Sequence, residues 1–150
     1  MMGEFGLAES MVKISHLLPA VSFNGLVRWI SPERLKLEAD GDEVSASPQS
    51  DVWSFGCTLL EVLTGCPPYS RYKYDPKVVR GIMNKEPPGD VEQVALSLDK
   101  LSSSGAESKL VCKSFLQELI RSCWNDVDER PSSQDLLEEV RSLDQVRREI

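Results

Sequence analysis

Residues 50–64, SDVWSFGCTLLEVLT, limit the possible folds more than any other stretch of this chain. Asp51 and Glu61 are the only charges in it, and Val52, Trp53, Phe55, Cys57, Leu59, Leu60, Val62 and Leu63 leave no polar back. A surface helix carries an apolar stripe opposite a polar face, whereas one that is apolar all round is buried. Fifteen residues rise about 22 Å as a helix, too short for a bilayer core of about 30 Å, and a span would avoid the two carboxylates. The segment therefore reads as the central helix of a core, with neighbours needed on every side.

A chain of 150 residues can bury such a core as one domain. Lys and Arg number 17 against 24 Asp and Glu, for a formal net charge of −7. That balance argues against nucleic acid as a partner, because phosphate contacts need a positive surface. It equally disfavours a polybasic membrane anchor. The start, MMGEFGLAESMVK, lacks the basic opening and apolar run of a signal peptide, so a cytosolic or nuclear chain is expected, cytoplasmic in the first instance. Cys57, Cys66, Cys112 and Cys123 form no C-x-x-C pair, and His16 lies far from all of them. Buried reduced thiols are expected rather than metal or redox chemistry.

Residues 1–30 show no sustained periodicity. SPERLKLEA forms a short helix opened by Pro32 after Ser31, and DGDEVSASP is a polar loop. The apolar helix then takes Ser50 as N-cap, Asp51 at its positive end and Gly65 as stop, before Pro67 and Pro68 extend the chain. DPKVVRGIMNKE is a short helix begun by Asp75 and Pro76. Residues 89–108 read as an insertion: Val94, Leu98 and Leu101 give one weak helical face, but SSSGAES has linker composition. Helices follow over 109–124, on Cys112, Phe115, Leu116, Leu119, Ile120 and Cys123, and over 132–148, with Ser132 as N-cap. No segment makes a convincing strand, so the fold class is mainly α.

In order, these pieces resemble the C-terminal lobe of a eukaryotic protein kinase domain. VRWISPERL is similar to the end of an activation segment, with Ser31, Pro32 and Glu33 at the A-P-E position. SDVWSFGCTLLEVLTGCPPY resembles the buried central helix of that lobe and the loop after it. LIRSCWNDVDERPSSQDLLEEV resembles its last two helices, with the C-W…R-P signature of tyrosine kinases and tyrosine-kinase-like Ser/Thr kinases. The resemblance implies an activation-segment-like region over 1–33 and a helical C-lobe over 34–148.

The resemblance also implies roles for individual residues. Asp51 would hold the backbone of the catalytic loop, and Trp53 belongs to the same structural motif. Glu33 and Arg130 would form a buried salt bridge, against the alternative of two ordinary surface charges. Gly25, Leu26, Val27, Arg28 and Trp29 would face the protein substrate. Leu26 stands where Ser/Thr kinases carry Thr, while Val27, Arg28 and Trp29 match the tyrosine-kinase pattern, so the acceptor hydroxyl is left open. EFGLA occupies the place of D-F-G-L-A. Glu4 would then stand for the aspartate that holds Mg²⁺ against ATP, with an added methylene that suits the metal poorly; the alternative is a truncation or cloning junction. Among the loop serines, Ser10, Ser15 and Ser22 are candidate phosphorylation sites, with Ser31 fixed by the turn.

The Gly-rich loop, the ATP-contacting Lys, its Glu partner and the H-R-D-x-x-x-x-N loop do not occur in these residues. Phosphoryl transfer depends on those positioning and charge-neutralising parts. The expectation is a partial kinase domain whose parent transfers the ATP γ-phosphate to protein hydroxyls with ATP and Mg²⁺, and which needs no cofactor by itself. Its partners would be protein substrates, kinase partners or the missing N-terminal lobe. A non-catalytic, pseudokinase-like interaction module is the second reading, and an unrelated helical regulatory domain the third. The flank of residues 50–64 that upstream elements cover in the resembled fold is expected to stand open.

Overall fold

The computed structural model describes residues 26–35, 46–101 and 106–149. They form helices and turns, with no strand among the described residues. A 3-10 turn over Leu26–Trp29 and a helical turn at 32–35 precede five α-helices. These are α1 (Pro48–Thr64), α2 (Asp75–Met83), α3 (Glu92–Leu101), α4 (Ala106–Cys123) and α5 (Ser133–Glu149). A second 3-10 turn, Val127–Glu129, joins α4 to α5.

The central helix starts earlier than the sequence implied. Ser47, not Ser50, is the N-cap: its side chain accepts from the Ser50 N–H, and Ser50 Oγ accepts from the Ser47 N–H at 3.0 Å. This reciprocal box satisfies two orphan donors, and Pro48 fits the first turn because it has no N–H to leave unpaired. At the other end Gly65 adopts φ 71° and donates to the Glu61 carbonyl at 2.7 Å, a left-handed stop that glycine takes without a Cβ penalty.

Two of the three apolar clusters are built on this helix. Val52 packs with Leu119, Cys123 and Leu136, which joins α1 to α4 and α5. Leu60 packs with Val91, Val94 and Ile120, which joins α1 to α3 and α4. Val27, Leu35, Tyr69, Val78 and Ile82 close a third cluster between the 26–29 turn, the loop after α1 and α2. Gly56 permits the close approach of α1 and α4, since a Cβ there would lie 2.6 Å from Cys123 Cβ.

The stretch 89–108, read from the sequence as an insertion with one weak helical face, packs against the rest of the fold. Val91, Val94 and Leu98 recur at helical spacing and meet the matching stripe of α4, so half of the stretch is α3 and its apolar face is part of the core. The linker-like composition is confined to its C-terminal part, and α4 begins at Ala106 rather than at Lys109. Ser132 caps α5: its hydroxyl accepts from the Asp135 N–H at 3.2 Å and donates to the Asp135 carboxylate at 2.7 Å.

The central helix is also not enclosed on every side. Asp51, Phe55, Thr58 and Val62, spaced four, three and four residues apart, are all exposed and form one stripe along α1. Phe55 is 42 % and Val62 73 % accessible. Of the thiols, Cys57 and Cys123 are buried, Cys112 is half-buried and Cys66 is exposed, so the expectation of buried thiols fails at Cys66. Burial pushes the Cys123 thiol up to about 11 and the Cys57 thiol higher still, which keeps both protonated and unreactive.

Candidate functional site

The N-terminal end of α1 gathers the residues singled out in the sequence. Val27 anchors the 26–29 turn by complete burial in the cluster with Tyr69, Val78 and Ile82. Arg28 then reaches the loop after α1. Its Nη1 donates to the carbonyls of Pro68 and Tyr69, and its Nη2 to that of Tyr72, each at 2.9 Å. From the other side Ser54 Oγ donates to the Trp29 carbonyl at 2.8 Å, so the turn is pinned both to α1 and to the 68–72 loop. Leu26 is left half-exposed at its start.

Immediately after this turn comes the best-built polar contact of the structure. Arg130 donates in parallel to Glu33, Nη1 to Oε1 at 2.6 Å and Nη2 to Oε2 at 2.9 Å, across 97 residues of sequence. Nη1 also reaches the Gln49 carbonyl at 3.0 Å, and Nε donates to the Asn125 carbonyl at 2.9 Å. The guanidinium carbon lies 5.0 Å from the centre of the Trp53 ring, a stacked cation–π arrangement. The Arg130 side chain is 2 % exposed and that of Glu33 26 %. Burial alone would favour the neutral acid at Glu33, but the hydrogen bonds and charge of Arg130 outweigh it and hold the carboxyl below its ordinary value of 4.5.

Thus Glu33, Trp53 and Arg130 come together, as do Val27, Arg28 and Trp29 with the loop. Asp51 stands apart: it is exposed in the first turn of α1, where its N–H donates to the Ser47 carbonyl but its carboxylate has no hydrogen bond or ion pair among the described residues. Glu4, Ser10, Ser15, Ser22 and Gly25 lie outside the described residues.

The sequence reading missed the linkage behind Arg28. Arg71 lies 5.2 Å from the Tyr69 ring centre and 5.0 Å from that of Tyr72, and it bridges to Glu86 at 3.0 Å. Tyr72 donates its hydroxyl to the same carboxylate at 2.6 Å, so its hydrogen bond and that of Arg71 hold the Glu86 carboxyl low. The signal available was the aromatic and basic run YSRYKY beside NKEPP, but nothing in it specifies which carboxylate it meets.

Glu4, the one residue read as a metal ligand, lies outside the described residues. No group of three or more His, Cys, Asp or Glu among them could hold a metal ion, and their glycines form no phosphate-cradling run. No described helix is long and apolar enough to cross a membrane.

The family described as "Protein kinase domain" matches residues 1–140. The chain is 31 % identical over 136 residues to the mouse serine/threonine-protein kinase LMTK3, covering 89 % of this chain and 9 % of that protein. It is 27 % identical over 137 residues to a probable serine/threonine-protein kinase of Dictyostelium discoideum, covering 91 % of this chain and 22 % of that protein. It is also 35 % identical over 85 residues to the Arabidopsis thaliana mitogen-activated protein kinase kinase kinase YODA, covering 57 % of this chain and 9 % of that protein. The chain therefore spans less than a quarter of the length of these relatives. With a family match over nearly the whole sequence and this helical architecture, the chain belongs to the protein kinase domain family.

Proposed function

We propose that residues 34–148 are the C-terminal helical lobe of a protein kinase domain of the tyrosine-kinase-like type, preceded over 1–33 by the end of its activation segment. The observation that carries this reading is the bidentate Glu33–Arg130 bridge, stacked on Trp53, between segments 97 positions apart. It joins the S-P-E turn, the central helix and the R-P loop in one contact. The whole domain would transfer the γ-phosphate of ATP, with Mg²⁺, to protein hydroxyls in the cytoplasm. The serine/threonine names of two relatives favour serine and threonine as acceptors.

In that domain Arg28 and Ser54 position the turn that faces the protein substrate, and the Glu33–Arg130 bridge holds the chain after it. ATP and Mg²⁺ supply the transferable phosphoryl group and neutralise its charge. Residues outside this sequence would hold them, so the 150-residue chain alone is inactive. A non-catalytic interaction module is the second reading. It is favoured by Glu4 at the position of the D-F-G aspartate and by the Asp51 carboxylate, which has no partner among the described residues.

Two measurements separate the readings. Titration calorimetry of the chain with Mg-ATP is expected to show no saturable heat, and micromolar binding would overturn the inactivity. Mapping the transcript upstream of the Met1 codon is expected to reveal an in-frame H-R-D loop. A stop codon there would favour the interaction module.

A further inference from the structure

We propose that the cavity beyond the C-terminal end of α2 is a docking groove for a basic, extended peptide of a partner protein. The proposal is independent of phosphoryl transfer. The cavity is half-open, about 760 Å³ in volume, and lies between the end of α2, the 124–130 segment and the Glu33–Arg130 bridge. That size falls in the range of binding pockets, of order 300–1,000 Å³. Trp53, Trp124, Met83 and Pro87 give it apolar walls, and aromatic and proline-lined grooves suit extended peptides. Trp53 is only 4 % exposed, and its indole N–H has no acceptor among the described residues.

Charge selects the partner. The lining holds the carboxylates Glu33, Glu86, Asp126 and Glu129 against only Lys85 and Arg130. Arg130 is committed to Glu33, and Glu86 is bridged by Arg71. Glu129 has no ion pair among the described residues and remains available to an incoming cation. Lys85, just beyond the end of α2, reaches Asp126 at 2.6 Å and across 41 residues. Both side chains are about 70 % exposed, at 71 % and 70 %, so water screens the contact and a competing cation can take Asp126. Lys85 holds this position with φ 56°, a backbone conformation unfavourable for a side-chain-bearing residue. It is an internal stand-in for the partner's Arg or Lys.

The test is fluorescence titration of the full chain, whose Trp53 and Trp124 line the groove, with acetyl-Arg-Pro-Arg-Pro-Arg-amide. Acetyl-Glu-Pro-Glu-Pro-Glu-amide and acetyl-Ala-Pro-Ala-Pro-Ala-amide are the controls. The basic peptide is expected to give a saturable change that weakens with added salt, and the controls none. Asp126→Asn with Glu129→Gln is expected to weaken binding about tenfold, and Lys85→Ala to tighten it about threefold. Tightening cannot come from misfolding, so the Lys85 variant keeps the test informative if the acidic pair proves fragile. No saturable signal up to millimolar peptide, equal binding of either control, or an unchanged affinity in Lys85→Ala would each overturn the proposal.

Discussion

Arg130 and Glu33 meet through two parallel hydrogen bonds of 2.6 and 2.9 Å, with the remaining guanidinium contacts directed to the carbonyls of Gln49 and Asn125. One side chain thus fixes three segments: the stretch after the 26–29 turn, the first turn of α1 and the loop before α5. Trp53 supplies the floor, which keeps water from one face of the guanidinium.

Removing either partner leaves the other without its counter-charge. Glu33→Ala is expected to cost about 2–4 kcal/mol, toward the low side of a buried pair because Glu33 is partly exposed. Arg130→Ala should cost at least as much, since two carbonyls lose their donor as well. The double variant should cost less than the two singles together, with a coupling of about 1–3 kcal/mol. Denaturant melts of the four proteins decide it, and additive losses would mean that the charges act independently.

The same bridge sets an acid limit. The Glu33 carboxyl titrates below its ordinary 4.5 in the folded chain, so over this range the unfolded chain binds more protons. Its contribution is fully present above the ordinary carboxylate range and is lost as pH falls through the lowered folded value. Between about pH 5 and pH 3 the native chain should lose stability more steeply than Glu33→Gln, which has nothing to titrate there. Melting midpoints across a pH series measure this, and parallel curves would assign the acid sensitivity to another group.

Arg28 offers a test of shape against charge. Three carbonyls at 2.9 Å need a guanidinium that points donors in several directions. Arg28→Ala is expected to cost about 2–3 kcal/mol, and Arg28→Lys to recover less than half of that. Amide exchange at residues 69–72 should quicken in both variants. Full recovery by lysine would show that only the positive charge matters.

Val94 tests whether α3 belongs to the core. It is fully buried against Leu60 and Ile120, so Val94→Ala should cost about 1–3 kcal/mol through lost burial and a partly unfilled cavity. A surface insertion would tolerate the same change within about 0.5 kcal/mol, and a thermal melt separates the two.

What the sequence made legible was periodic or locally capped. The α1, α4 and α5 patterns each repeat over several turns, and the Gly65 stop and the Ser132 cap are signals read within a few residues. The failures share a cause. Ser47 takes the cap from Ser50 because a reciprocal serine box and Pro48 act together three residues earlier. Residues 92–101 gave only a weak helical face because three apolar positions are slight evidence until a matching α4 stripe covers them. The Glu33–Arg130 pairing was accessible only through family resemblance, since no local rule links residues 97 apart. The carbonyl clamp of Arg28 had no sequence signal at all, because backbone acceptors look alike in every residue.

The open stripe of α1 gives the last prediction. Residues apolar on all sides of a helix imply cover on all sides, yet Phe55 and Val62 stand out from the fold in line with Asp51 and Thr58. Leu60, on another face of the same helix, is 3 % exposed and belongs to the α1–α3–α4 cluster. The two faces should therefore respond oppositely. Leu60→Ala is expected to cost about 2–5 kcal/mol. Val62→Lys should cost nothing and add about 0.3–1 kcal/mol, because lysine forms helix better than valine and places a cation in the last turn, where α1 has none. Adding Phe55→Lys should then reduce dye binding and concentration-dependent self-association, since it breaks the exposed apolar line. Thermal melts and sedimentation of the single and double variants measure both effects. A loss above about 1 kcal/mol in Val62→Lys would show that the stripe is buried against another part of the chain in solution.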